Sequence, residues 1–351
     1  MKRLALAVVS ACLLGGHAMA AEPAASAEPA VPAAPAADAP PSRIVLLVDE
    51  IKAIRNFPVV LAERLGYLSD GGATVTVMNI RDDVSSADML KDGRVDAVVA
   101  YYHHNVVNHA HGIDTEAVVT LGVTPGAKVL VANQARDKYR SVTDLEGARF
   151  IAGGAGSSKS TVANALVLAG GHGIGDYTRL GTDGKEKNVD ALRNGAADFV
   201  VAPTPDGDVY ESKGVATVFA DLTSVDGTRR TLGTLFPSST VYMSGPRVRA
   251  HPEIARHLAA AFVRTLRYIN THTPEQLLAV IPPEISGKDR AAYLKVLKEE
   301  IPMFANDGRM PDDGATKEWQ VLAAANPSCA SVKVERTYTN AFVDDALRTL
   351  H

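Results

Sequence analysis

Residues 90–100 read LKDGRVDAVVA and residues 192–202 read LRNGAADFVVA. The two align without a gap, Gly93 beside Gly195 and Asp96 beside Asp198. Each spells the end of a helix, a glycine stop, an aspartate and a short apolar strand. A strand with no polar alternation is one covered on both faces, the habit of strands in parallel sheets. The same pattern twice in one chain fits two lobes of one architecture.

The segments around both copies extend this reading. RIVLLVD (43–49) reads as a buried strand, PVVLAERLGY (58–67) as a helix stopped at Gly66, 73–80 as a strand and 85–91 as a helix. Strands follow over 118–123 and 128–132. A second series opens with SVTDLEG (141–147) and a strand over 149–152. A glycine-rich turn, helices over 160–169 and 189–194, and a strand over 198–202 complete it. After a strand over 240–244 the pattern turns helical, over 252–270, 274–280, 287–300 and 315–325, the last carrying the only tryptophan, Trp319. Strands alternating with helices predict an α/β protein with parallel or mixed sheets, and the late helices a cap closing the first lobe.

The 351 residues are 46% hydrophobic, 22% charged and 5% aromatic, and exceed what one core usually holds, which argues for about two domains. With 36 basic and 40 acidic residues interleaved, the formal net charge is -4 and no basic stripe for a nucleic acid exists. Residues 1–20 read as an export signal: Lys2 and Arg3, an apolar run from Leu4 to Leu14, then Ala18-Met19-Ala20. Val9-Ser10-Ala11-Cys12 is formally a lipobox that would lipidate Cys12, but it leaves a short apolar run, and the downstream site is preferred. No stretch is long enough for a transmembrane helix. In residues 21–42, 16 of 22 positions are Ala or Pro, a disordered tether. Export predicts a periplasmic protein, with one cysteine, Cys329, left after cleavage and so no internal disulfide.

The richest site signal is IAGGAGSSKST (151–161), a glycine-rich turn between a strand and a helix, where free N–H groups and the helix dipole favour an anion or polar ligand. It departs from a nucleotide-binding P-loop, since Ser158 stands where the second glycine belongs. A plain turn with Ser157 or Ser158 as N-cap is the structural alternative. Tyr101-Tyr102-His103-His104, with His109 and His111, admits three readings: a metal site, capping histidines, or aromatic ligand contacts. No carboxylate or thiolate of ligand spacing supports a metal, and position favours ligand contacts, since ligands sit at the carboxyl ends of strands in open α/β sheets. Thr204, in the proline-bounded loop after 198–202, should face the same crevice; Phe57 and Pro58 stand after the first strand, where Phe57 could stack on a ligand. No G-x-S-x-G elbow appears, and Cys329 reads as part of a polar C-terminal loop, so no catalytic residue and no cofactor are assigned.

These segments together resemble the substrate-binding proteins of ABC importers of the nitrate/sulfonate/taurine and thiamine-precursor group, the NMT1/THI5-like family. FPVVLAERLGYL (57–68), DGRVDAVVAYYHH (92–104), SVTDLEGARFIAGGAGSSKSTVANALVLAGG (141–171), FPSSTVYMS (236–244) and TYTNAFVDDAL (337–347) carry the likeness, in this order. The resemblance implies a two-lobed periplasmic binding fold of the second type with two crossings between lobes. Lobe one would be 43–131 with 240–351, and lobe two 132–239. It implies a monomer that closes on a small solute by hinge motion and docks on an ABC permease driven by its ATPase. Carried over, the ligand contacts would be Phe57, Pro58, Tyr101, Tyr102, His103, Gly156, Ser157, Ser158 and Thr204. The solute would be a small organic anion or an aromatic or heterocyclic molecule, of sulfonate, carboxylate, nitrate or pyrimidine type. Lys159 after the serine pair and His103-His104 in place of an aspartate-containing loop depart from the family pattern. An enzyme on the same fold, a lyase or hydrolase, is the alternative.

Overall fold

Asp96 and Asp198, aligned in the sequence, hold equivalent places in two separate five-stranded sheets. The computed structural model describes residues 43–80 and 84–350; the predicted leader, the tether and Cys12 lie outside the described residues. The strands are β1 (Arg43–Val48), β2 (Thr74–Asn79), β3 (Ala97–Tyr101), β4 (Thr115–Thr120), β5 (Ala127–Ala132), β6 (Arg149–Ile151), β7 (Thr178–Leu180), β8 (Phe199–Pro203), β9 (Ala216–Asp221) and β10 (Ser239–Ser244). They form sheets of order β2-β1-β3-β10-β4 and β7-β6-β8-β5-β9. In each sheet the strand of the repeat, β3 or β8, is central. It runs parallel to one neighbour (β1 or β6) and antiparallel to the strand that arrives from the other half of the chain (β10 or β5).

The helices are α1 (Phe57–Arg64), α2 (Ser86–Lys91), α3 (His103–Ala110), α4 (Ser158–Ala169), α5 (Lys185–Asn194), α6 (Asp206–Ser212), α7 (Val225–Leu232), α8 (Gly245–Ala250), α9 (Pro252–Thr271), α10 (Pro274–Val280), α11 (Pro283–Ser286), α12 (Arg290–Glu300), α13 (Asp312–Ala325) and α14 (Ala341–Thr349). The helices preceding the two repeat strands, α2 and α5, stop beside Gly93 and Gly195. These have φ of +67° and +77°, a conformation that only glycine adopts without cost. The aspartates then tie the start of each strand to its neighbour. Asp96 Oδ2 accepts from the Val45 N–H at 2.8 Å and Oδ1 from the Arg247 guanidinium; Asp198 Oδ2 accepts from the Arg149 N–H at 2.9 Å and its carboxylate grips the Arg149 side chain at 2.7 and 2.9 Å.

Each sheet has its own core. In the second, Phe150 stacks on Phe199 with ring centroids 4.5 Å apart, and Leu166 of α4 and Leu192 of α5 pack beside them. In the first, α9 lays Ile254, Leu258 and Phe262 over Val99, Val119 and Val241, at the three- to four-residue spacing of one helical face. Fully burying each such side chain contributes about 1.5–3 kcal/mol. Among the described residues no helix is long and apolar enough to cross a membrane.

Several expectations are revised. The boundary drawn at 131/132 falls inside β5, all of which pairs in the second sheet, so the chain has changed sheets by Ala127. The strand read over 118–123 is β4, which runs from Thr115 to Thr120; beyond it the Leu121 N–H still donates to Ser239 of β10, and the Val123 N–H turns away to the Met303 carbonyl. The helix read over 287–300 starts only at Arg290, behind Asp289, whose carboxylate caps Ala292; Gly287 instead ends the short α11. β7 and β9, unread in the sequence, are edge strands with few buried residues and so lack the apolar signature. Cys329 is fully buried, and its carbonyl accepts from Trp319 Nε1 at 3.0 Å. The cap also does more than close lobe one: Val321 of α13 belongs to the second sheet's core, whereas Ala315 and Leu322 pack in the first.

Candidate functional site

β3 ends at Tyr101 and its chain turns directly into α3 at His103, bringing both rings to the carboxyl end of a central strand. From the second lobe, the chain leaving β6 turns through Gly156 at φ +78° and enters α4 behind Ser157. Ser157 is the N-cap: its hydroxyl accepts from the Ser160 N–H at 3.2 Å and donates to the Ala152 carbonyl at 3.1 Å. Ser158, the first residue of α4, lies within hydrogen-bonding reach of the Tyr101 hydroxyl across the lobes. The first-turn N–H groups of such a helix have no intrahelical partner.

A cavity of about 10 Å³ sits where these elements meet. Tyr101 and His103 line it from one lobe, Ser158, Thr161 and Val162 from the other, with Pro125, Phe236 and Pro237 of the two crossings at its base. Glu318 of α13 completes the wall. This is about the room of one water molecule, so a larger ligand requires the lobes to part.

Charge in this region is concentrated on one side. The Arg55 guanidinium bonds Asp49 at 3.1 Å and Glu50 at 2.8 Å and lies over the Tyr101 ring, 4.8 Å from its centroid; Arg55 Nε has no partner. Burial pushes the Tyr101 hydroxyl up and both His103 and His104 below the ordinary imidazole range, and His104, its ring 4.3 Å from that of His103, lowers His103 further. Burial also raises the Glu318 carboxyl far above the carboxylate range, against a hydrogen bond from the His103 backbone N–H. Burial thus favours the uncharged form of both His103 and Glu318.

Of the residues singled out in the sequence, Tyr101, His103 and Ser158 come together here. Gly156 and Ser157 shape the helix entrance. Phe57 is 1% exposed and packs on Phe304, Pro58 is buried in the first turn of α1, and Tyr102 points into the core, its hydroxyl 2.5 Å from Thr337 Oγ1. None of these three lines the cavity. His109 Nε2 donates to the Thr115 carbonyl at 2.7 Å, tying α3 to the start of β4. Among the described residues no group of three or more His, Cys, Asp or Glu side chains could hold a metal ion.

Thr204 joins a second contact between the lobes. Lys128 of β5 bridges Asp208 of α6 at 3.2 Å and Glu299 of α12 at 3.3 Å, and Lys295 reaches Asp208 at 2.7 Å. Beneath them Glu300 is completely buried near the Thr204 hydroxyl, and neither of its oxygens makes a well-formed hydrogen bond. Arg55, Glu300 and Glu318 were not read as site residues. Glu318 had a signal: it lies in phase with Ala315 and Leu322, an acid on the apolar stripe of an amphipathic helix.

A family model described as NMT1/THI5 like matches residues 54–276. No curated protein matches the chain. A protein of solved structure from Bordetella bronchiseptica RB50 is 24% identical, with 88% of this chain and 98% of that one covered and a TM-score of 0.71. The periplasmic aliphatic sulphonate binding protein SsuA from Escherichia coli is 16% identical over 86% of this chain and 99% of its own, with a TM-score of 0.65. The periplasmic nitrate-binding protein NrtA from Synechocystis PCC 6803 is 14% identical over 88% and 89%, with a TM-score of 0.59. These likenesses establish the two-lobed fold of periplasmic binding proteins.

Proposed function

Because the chain belongs to the NMT1/THI5-like family, we propose that it is the solute-binding component of an ABC importer. It captures a small molecule between its lobes in the periplasm and delivers it, as a monomer, to a membrane permease driven by an ATPase. The observation that carries this reading is the meeting of Tyr101 and His103, at the end of β3, with Ser158 and Thr161, at the start of α4, over the two crossings. Binding there draws the lobes together, and a permease reads the closed shape. The sulphonate and nitrate ligands named for SsuA and NrtA support a solute of similar size.

The test is a thermal-shift screen of the purified protein against alkanesulfonates, nitrate, aromatic carboxylates, amides and pyrimidines. A ligand at about 100 times its dissociation constant raises stability by about 2.7 kcal/mol. Stoichiometric binding with lobe closure, followed by scattering, is the expected result. Steady conversion of the bound molecule would replace this reading with an enzyme on the same fold.

A further inference from the structure

Two residues of the cavity wall, His103 and Glu318, each carry a buried polar atom, Nε2 and Oε2, with no hydrogen-bond partner among the protein's atoms. The two residues are 2% and 1% exposed. The side chains face one another, His103 Nδ1 lying 3.8 Å from Glu318 Oε1. Leaving one such atom unpaired in an apolar surround is costly, and two together serve no purpose in stability. A ligand that pairs with both would recover the loss.

The chemistry of the pair specifies its complement. Burial favours the protonated carboxyl, whose Oε2 can then carry the acid proton and donate. Nδ1 is turned toward the carboxyl, and with the imidazole proton on Nδ1 the unpartnered Nε2 is an acceptor. One donor beside one acceptor fits a planar edge with an acceptor beside an N–H. An oxoanion offers acceptors only and would meet the lone pair of Nε2. No lysine or arginine lines the cavity, and two carboxylates, Asp49 and Glu50, oppose the charge of Arg55 over the Tyr101 ring.

The geometry points to Glu318 and His103 as the recognition pair of the cleft, and to an uncharged ligand whose edge is that of a carboxamide, a lactam or a urea. This rests on the solute-binding reading above and narrows its ligand class. The pair is a specificity device placed by α13, the helix whose side chains enter both cores.

The experiment compares wild type, Glu318→Gln and Glu318→Leu by thermal shift and calorimetric titration, with benzamide, nicotinamide and uracil against ethanesulfonate, nitrate and benzoate. The expected result is binding of the amide-type probes and not of the anions. Glu318→Gln, which keeps a donor and an acceptor, retains affinity within about threefold; Glu318→Leu loses roughly 10–100-fold. A purely structural carboxyl would leave probe affinity unmoved in Glu318→Leu, which overturns the inference. Tight binding of an anion by wild type and Glu318→Leu alike overturns it too, and leaves the receptor reading standing. Should wild type bind nothing in either series, both fall. The wild-type panel decides between these outcomes even where a variant does not fold.

Discussion

Replacing Glu300 by glutamine should change how the protein's stability depends on pH. Glu300 is fully buried near the Thr204 hydroxyl, and burial, aided by Asp221 and Glu299, pushes its carboxyl from 4.5 up to about 7 against the pull of Thr204 and Lys128. Between those values the folded chain keeps the proton that the unfolded chain has released. The folded state binds more protons there, so Glu300's contribution is fully present below about 4.5 and declines as pH rises to about 7. A shift of this size corresponds to about 3 kcal/mol between the two ends of the window. Glutamine keeps the shape and does not titrate. Other buried groups contribute slopes of their own, and His103 and His104, with lowered values, slope the opposite way. The measurement is therefore the difference between wild-type and Glu300→Gln stabilities from urea unfolding between pH 4.5 and 8. Wild type should lose ground to the variant steadily up to about pH 7 and then hold constant. Parallel profiles would refute the account of Glu300 as a buried, protonated acid.

Two other substitutions separate roles that the sequence left joined. Ser157→Ala removes the α4 cap and should cost about 1 kcal/mol of stability, whereas Ser158→Ala should leave unfolding unchanged and weaken ligand binding; equal unfolding midpoints for both would contradict the capping role. Asp198→Ala leaves the Arg149 N–H unpaired and should cost about 1–3 kcal/mol in urea unfolding at neutral pH. Burial alone would raise the Asp198 carboxyl, yet the Arg149 hydrogen bonds hold it below its ordinary 3.8. Its contribution is thus present above that value and fades as pH falls below it, so wild type and Asp198→Ala should converge in acid.

The repeated helix, glycine, aspartate and strand were legible because each is a local decision. A chain that must turn at φ near +70° takes glycine, and a strand covered on both faces takes a run of apolar residues. Gly93, Gly195, β3 and β8 were placed correctly from these signals, and Asp96 and Asp198 proved to be the same tie made twice. The entrance to α4 was equally local, and its serines divide into a cap and a cleft residue only once α4 has a neighbour. Tyr101, Tyr102 and His103 stand together in sequence, yet only the fold sends Tyr102 to Thr337 and the other two to the cavity.

The tertiary structure alone decided that β5 belongs to the second sheet and that α13 serves both cores. It also brought Glu318 against His103 and Glu300 against Thr204. Such pairings join residues far apart in the chain, and nothing in the local spacing of either partner encodes the other. Local sequence determines which elements form and where they stop; burial of their apolar faces against one another then determines which polar groups are left facing the cleft.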